Sequence, residues 1–201
     1  MIQFGSLYSQ YYDLLYSDKD YEGEVDYVNT LLRENSNNAK TLLDMGCGTG
    51  AHAEIFCDKG YKVHGIDLSE DMLKTAETRR KGKEEKLTFS HSSIQNLTLN
   101  KKFDAVVSLF HVMSYQNSNT ELIKAFDVAR DHVKEGGIFI FDFWYGPAVL
   151  TDLPVTRVKR LVSEKMKVTR LSEPVIHSQA NTVDVNFDIF IEEAYLFFNY
   201  N

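Results

Sequence analysis

Only two cysteines occur in 201 residues, Cys47 and Cys57, and their spacing fits neither CxxC nor a metal-ligand pattern. A disulfide framework is therefore excluded, no metal site is expected, and a reducing cytoplasm is the simplest compartment. Long apolar runs are missing as well. The longest candidate, IFIFDFW after Gly137, falls far short of the roughly 18 residues needed to cross a bilayer. The opening MIQFGSLYSQ has neither the basic nor the apolar region of a secretory signal, so a soluble chain without membrane association is expected. Positive charge is scarce. The formal net charge is -7, and basic residues cluster only at 79–86, where two glutamates interrupt them, and at 157–160. Binding a long phosphate backbone requires several lysines or arginines to replace condensed counterions, so no nucleic-acid partner is expected.

What remains is the composition of a globular domain, with 43% hydrophobic and 25% charged residues. A chain of this length hides roughly 70% of the surface its unfolded form exposes, enough to fold without covalent staples.

Three segments of different pattern are expected to form one compact domain. Residues 1–40 form a helical cap rich in tyrosine, at positions 8, 11, 12, 16, 21 and 27. Within it, Tyr21, Val25, Val28, Leu31 and Leu32 recur near a 3.6 period, which predicts a helix of about three turns stopped by SNN at 36–38. Residues 41–147 alternate short apolar runs with helical patterns. TLLDM precedes the helix AHAEIFCDKGY, stopped by Gly60, and KVHGIDLS precedes SEDMLKTAETRRK, where Ser69 is an N-cap followed by Glu70 and Asp71. KLTFSH and FDAVVSLFH follow, then NTELIKAFDVARDHVKEGG, read as a helix ending on Gly136 and Gly137, then IFIFDFW. Apolar strands alternating with helices predict a doubly wound α/β fold with a parallel sheet covered on both faces.

Residues 148–201 read differently. KMKVTRLS and NTVDVNFDIFIEE are extended, and the second alternates, with Val183, Val185, Phe187, Ile189 and Ile191 on one face and Thr182, Asp184, Asn186 and Asp188 on the other. Antiparallel strands with one wet face are expected. The apolar face and the LFF near the end suggest pairing through an unprotected edge, and a homodimer is the expected form.

The chemistry centres on LLDMGCGTG at 42–50, where three glycines sit between a buried strand and a helix. Glycine allows a tight turn and close approach of a ligand, and the helix start offers free N–H groups. The spacing is GxGxG rather than the GxGxxG of dinucleotide binding. Asp44 precedes the turn, and Asp67 ends the next strand 17 residues after Gly50, where a carboxylate can accept hydrogen bonds from both hydroxyls of a ribose.

With these motifs the chain resembles the class I S-adenosylmethionine-dependent methyltransferases over roughly residues 8–145. LLDMGCGTG stands as the first motif and GIDLSEDML as the second, while FDAVVSLF with Asp104 and VKEGGIFIFD resemble the fourth- and fifth-strand motifs. The resemblance implies a Rossmann-like, mostly parallel sheet and S-adenosyl-L-methionine as cofactor, with S-adenosyl-L-homocysteine as product. It implies that Gly46, Cys47 and Gly48 run along the methionine moiety, Asp44 orients the loop or amino group, and Gly50 permits a close helix start. Asp67 would hold the ribose, Leu68 and Met72 would pack near adenine, and Ser93 with Ile94 would meet the adenine amino group where the family usually has an acid. Leu109, Tyr12 and Tyr21 complete the expected cofactor contacts.

Within the class, YYDLLYSDKDY, SLFHVMSY, FWYGP and the later antiparallel strands resemble the N-methyltransferases of nucleotide-linked amino sugars. A small-molecule acceptor is implied, with His111 and Tyr115 as catalytic candidates and Tyr16 and Trp144 as acceptor contacts. His111 departs from the serine those enzymes tend to carry. Only 59 residues follow Asp142, so the sheet-closing hairpin of those enzymes is expected to be shortened. Two other classes stay open at this point: a non-catalytic methyltransferase-like protein, and a nicotinamide-dependent oxidoreductase, which the glycine spacing disfavours.

Overall fold

The computed structural model describes residues 6–36, 38–163 and 166–193. It divides into two compact units, one comprising residues 1–10 and 18–143, the other residues 11–17 and 144–201.

The first unit begins with α2 (Tyr21–Asn35), which follows α1 (Ser6–Leu15), a helix through which the division passes. The Asp20 side chain caps α2 by accepting from Gly23 N, and Val25, Val28 and Leu32 form its buried stripe. There follow β1 (Thr41–Met45), α3 (Ala51–Asp58), β2 (Lys62–Asp67), α4 (Glu70–Arg79), β3 (Leu87–His91), β4 (Phe103–Ser108), α5 (Asn119–His132) and β5 (Val133–Phe141). The five strands are parallel in the order β3-β2-β1-β4-β5. This is the expected doubly wound architecture, with β1 and β4 at the point where the strand order reverses.

Both faces of this sheet are apolar because its strands are covered on both sides. Leu42, Val63, Ala105 and Val107 join Val25, Leu32 and Phe56 of α2 and α3 in one core. Leu43, Met45, Ile66 and Val106 join Ala125 and Ala129 of α5 in the other. Asp104 is structural. It accepts from the backbone of Lys40 and Thr41 at 2.9 Å each and pairs with Lys134 at 2.7 Å, tying together the starts of β1, β4 and β5.

One boundary differs from the sequence expectation. Gly136 and Gly137 do not end α5; they lie inside β5, which begins at Val133. The helix stops earlier because the His132 ring closes its last turn: Nδ1 lies 2.7 Å from Val128 O and Nε2 accepts from Leu99 N. Gly136 then takes φ 74 at a register irregularity in the β4–β5 pairing, and a Cβ on Gly137 would sit 2.6 Å from Asp104 O.

The second unit holds Tyr11–Ser17, a short helix α6 (Gly146–Thr151), and β6 (Arg157–Val162), β7 (Met166–His177) and β8 (Thr182–Glu193) in an antiparallel sheet of order β6-β7-β8. The sequence reading anticipated β7 and β8 but neither α6 nor β6. Alternating basic residues in RVKRLV hide a strand from a search for apolar runs. Apolar residues also reach the face expected to be wet, where Val158, Val162, Val175 and Phe190 are exposed. The terminal LFF lies outside the described residues.

Candidate cofactor and acceptor site

Most candidate residues of the first unit lie at or just beyond the carboxyl ends of its strands. Asp44 lies near the end of β1 and the glycine loop follows it, Asp67 ends β2, Ser93 follows β3, and Leu109, Phe110 and His111 follow β4. Ligands of open α/β sheets bind in the crevice at this edge.

The glycine loop is held by its own backbone. Gly46 N and Cys47 N both donate to Ile66 O, at 2.8 and 2.9 Å, and Gly48 N donates to Asp67 Oδ2 at 2.8 Å. Gly46, Gly48 and Gly50 all have positive φ, at 83, 55 and 79. They differ in what surrounds them. A Cβ on Gly46 would lie 2.5 Å from Val112 Cγ1, and one on Gly50 would lie 2.9 Å from Phe89, whereas one on Gly48 would meet nothing within 4 Å. Gly46 and Gly50 are therefore needed for packing, and Gly48 for open space. The first turn of α3 has no side-chain cap, which leaves its N–H groups facing that space.

Asp67 Oδ1 accepts from Ser69 N at 2.8 Å, so one carboxylate braces both the glycine loop and the start of α4. Burial raises its pKa, opposed by backbone hydrogen bonds from Ser69, Gly48 and Leu68. Asp44, buried at the end of β1, is shifted further. Desolvation, and then the charge of Asp67, push its carboxyl up to about 7, and its Oδ2 has no hydrogen-bond partner among the described residues. Ser93 Oγ is likewise buried and unpartnered. Leu68 is 52% exposed, while Met72 and Ile94 are buried. An open cradle at Gly48, two orphaned polar atoms and an exposed leucine fit a nucleoside with an amino-acid tail. Cys47 is buried and its thiol is pushed well above its ordinary value by burial, so it is no nucleophile.

At the end of β4 the backbone bends sharply. Phe110 and His111 take φ 65 and 63, the left-handed region that costs a residue with a Cβ about 1–3 kcal/mol. The turn is pinned on both sides. Lys19 Nζ lies over the Phe110 ring at 4.4 Å and over Tyr21 at 4.8 Å, and it pairs with Glu24, which accepts from His52 Nε2 across 2.7 Å. The His52 hydrogen bond is the main reason that Glu24 is lowered to about 2. On the other side, His111 N donates to Asp142 Oδ1 at 2.7 Å, and its Nδ1 lies 3.6 Å from Asp142 Oδ2. Nδ1 is screened from solvent, although the side chain is 41% exposed.

The expected residues are thus partly gathered. Asp44, Gly46, Cys47, Gly48, Gly50, Asp67, Leu68, Met72, Ser93 and Ile94 lie around the ends of β1 to β3. Tyr21 packs edge-on against His52 at 4.8 Å between ring centroids. Leu109 is buried in the core, and Tyr115 is exposed on a short turn after His111. Tyr12, Tyr16 and Trp144 belong to the second unit, where the Tyr12 and Tyr16 rings lie 4.7 Å apart at a tilt of 55°. Sequence reasoning missed Asp142, Lys19 and Glu24. Asp142 was visible only as the last acid of IFIFD, and the other two carry no motif.

A family model described as a methyltransferase domain matches residues 42–137. The dTDP-3-amino-3,4,6-trideoxy-alpha-D-glucopyranose N,N-dimethyltransferase of Streptomyces venezuelae is 32% identical over 182 residues, covering 89% of this chain and 74% of its own length. Among solved structures, Streptomyces venezuelae DesVI matches with a TM-score of 0.73 at 27% identity, covering 91% of this chain and 82% of that one. An S-adenosylmethionine-dependent methyltransferase from Clostridium acetobutylicum matches with a TM-score of 0.67 at 26% identity, covering 92% and 79%. These likenesses favour methyl transfer over the nicotinamide chemistry the sequence left open.

Proposed function

The chain belongs to the class I S-adenosylmethionine-dependent methyltransferases that act on small molecules, and from that premise we propose that its acceptor is the amine of a nucleotide-linked sugar. The observation that carries the reading is that similarity to an amino-sugar dimethyltransferase runs through 89% of the chain, beyond the 42–137 core that methyltransferases share.

Bound S-adenosylmethionine supplies an electrophilic methyl group on a sulfonium. The residues around the strand ends fit it: Asp67 for the ribose hydroxyls, Leu68, Met72 and Ile94 for the adenine, Ser93 Oγ for the adenine amino group, and Asp44 Oδ2 toward the cationic amino-acid end. Methyl transfer then needs little covalent help from the protein, because most of the barrier is met by positioning. An amine arrives largely as an ammonium ion, whose nitrogen has no free lone pair. His111 removes that obstacle by taking the proton on its ring as the general base. Asp142 accepts from the His111 backbone N–H and faces Nδ1 of the ring, and Tyr115 assists by hydrogen bonding. The aromatic faces of Tyr21 and Phe110 exclude water and favour a nearby cation.

We also infer a homodimer formed through β8, a twelve-residue edge strand with Phe190 62% exposed, and a cytoplasmic location, the compartment that supplies the cofactor. The reading is tested by incubating the protein and S-adenosylmethionine with nucleotide-linked amino sugars, free amino sugars, phenols and carboxylates, with mass detection of products. Methylation of the nucleotide-linked amines supports it; methylation of hydroxyl or carboxyl acceptors alone rejects it.

A further inference from the structure

Lys19 lies beside the strained turn in a way its own helix does not require. It precedes Asp20, the N-cap of α2, and that cap together with a 3.0 Å bond from Tyr21 N to Lys19 O sets its backbone. A lysine at a helix end ordinarily runs into water, because its ammonium is a compact and strongly hydrated charge. Here the side chain is only 10% exposed. Burying an ammonium is costly unless it is paired, and among the described residues Lys19 Nζ meets one carboxylate, Glu24, and the faces of two rings.

Each contact leads towards the site. Glu24 lies in the first turn of α2, and its second oxygen is 2.7 Å from Nε2 of His52. His52 is buried in the first turn of α3, the helix that starts directly from Gly50 of the glycine loop. The carboxylate that holds Lys19 is thus itself held by α3. On the other side, Nζ lies 4.4 Å from the centroid of the Phe110 ring, and that ring lies 5.8 Å from the ring of His111. Phe110 and His111 both take left-handed φ at the end of β4. Such strain persists only where the surroundings over-determine it. A cation within about 6 Å of an aromatic centroid is attracted by the ring quadrupole, most strongly where water is excluded, so a buried lysine is suited to hold a phenylalanine in a conformation it would otherwise leave.

We propose that Lys19, braced by Glu24 and His52, is a positioning residue for methyl transfer: it holds the Phe110 ring and thereby keeps the turn that presents His111. Asp142 holds the same turn from the His111 side, through the backbone N–H at 2.7 Å. Lys19 acts through Phe110 and not on the reactants, so its loss slows turnover and spares affinity. The inference rests on the reading of His111 as the base, while the grip on the turn is measurable without an acceptor.

Hydrogen exchange of the whole protein, followed by NMR, reads the turn directly. In Lys19→Met the His111 amide, protected in the wild type by Asp142, exchanges at least about tenfold faster, while the core amides of Leu43 and Ile66 keep wild-type rates and verify the fold. Lys19→Arg keeps a cation over the ring and returns the His111 amide to the wild-type rate. Turnover of S-adenosylmethionine with a thymidine diphosphate-linked amino sugar follows the same order. kcat falls about tenfold in Lys19→Met and recovers in Lys19→Arg, with acceptor KM and S-adenosylmethionine affinity near wild type in both. Phe110→Leu removes the ring but asks the same backbone of its residue; it loses about as much kcat, and the double variant of Lys19→Met with Phe110→Leu loses no more than either alone, since both break one contact. Wild-type His111 exchange in Lys19→Met, or additive losses in the double variant, overturns this inference alone. A tenfold loss of S-adenosylmethionine affinity in Lys19→Met also overturns it, by making the lysine a cofactor ligand. Wild-type kcat in His111→Asn overturns the base reading and this inference with it.

Discussion

Asp67 Oδ2 accepts a 2.8 Å hydrogen bond from Gly48 N, so the acid at the end of β2 and the glycine loop after β1 are one braced assembly. In the proposed reading the same carboxylate is a ligand for the ribose as well as a strut for the loop, so removing it affects both. Asp67→Ala is expected to weaken S-adenosylmethionine binding by about 1–3 kcal/mol, the scale for losing hydrogen bonds to a charged group. Asp67→Asn, which retains one acceptor oxygen, should lose less. Calorimetry giving wild-type affinity for the alanine variant rejects the ribose assignment.

Gly46 and Gly48 separate packing from binding. Both have positive φ, which costs an alanine roughly 1 kcal/mol, but only at Gly46 would the new methyl collide, 2.5 Å from Val112. Gly46→Ala should therefore lower the melting temperature by several degrees, as for a strained and overpacked site. Gly48→Ala should lose only the few degrees that the positive φ costs, yet bind the cofactor at least tenfold more weakly, because its methyl fills the open cradle. Equal affinity in Gly48→Ala and wild type would show that the cradle is not the cofactor path.

Asp44 gives a pH dependence with the opposite sign to an ordinary ion-paired carboxylate. Its folded value is raised from 3.8 to about 7, so between pH 4 and 7 the native protein keeps a proton that the unfolded chain has lost. Stability from this residue is full below pH 4 and is lost as pH rises through 7, by on the order of 4 kcal/mol in total. Glu24 and Asp104 are lowered, so their contributions fade at more acidic pH and are common to wild type and variant. Urea unfolding of wild type and Asp44→Asn across pH 4 to 7.5 should show the variant gaining relative stability with rising pH. A constant difference between the two proteins would place Asp44 in a solvated or ion-paired state.

The cofactor half was legible in the sequence because its chemistry is local. GCGTG, the acid before it and Asp67 are set by strand and turn patterns of a few residues, and Ser69 caps its helix as its neighbours imply. The contacts around the proposed acceptor residues were not, since they join residues far apart in the chain. Nothing in the sequence joins His111 to Asp142, which follow the adjacent strands β4 and β5 but are 31 residues apart, or Arg170 to Tyr16, 154 residues apart. The error at β5 has the same origin: of the two glycines that resemble a helix stop, Gly137 is required by the carbonyl of Asp104 on a neighbouring strand, and Gly136 by its φ of 74 at the irregular pairing.

The pairing of His111 with Asp142 makes the last prediction a kinetic one. If His111 Nε2 accepts the proton of the acceptor amine, its removal should slow turnover without disturbing the cofactor. His111→Ala would do this but would also leave alanine in a left-handed conformation at φ 63. His111→Asn is the cleaner variant, since asparagine tolerates that region better than most residues and cannot act as a base. General-base assistance is typically worth 10²- to 10⁴-fold, so kcat should fall by about 10²-fold, with S-adenosylmethionine affinity within twofold of wild type. Asp142→Asn keeps an oxygen for His111 N and removes only the negative charge facing Nδ1, so it should lower kcat by about tenfold and leave acceptor KM near wild type. Long-range proton–nitrogen NMR of the wild type should find the neutral His111 ring protonated on Nδ1, and Asp142→Asn should shift that tautomer balance. Wild-type kcat in both variants would return His111 to a structural role at the end of β4, whatever the acceptor proves to be.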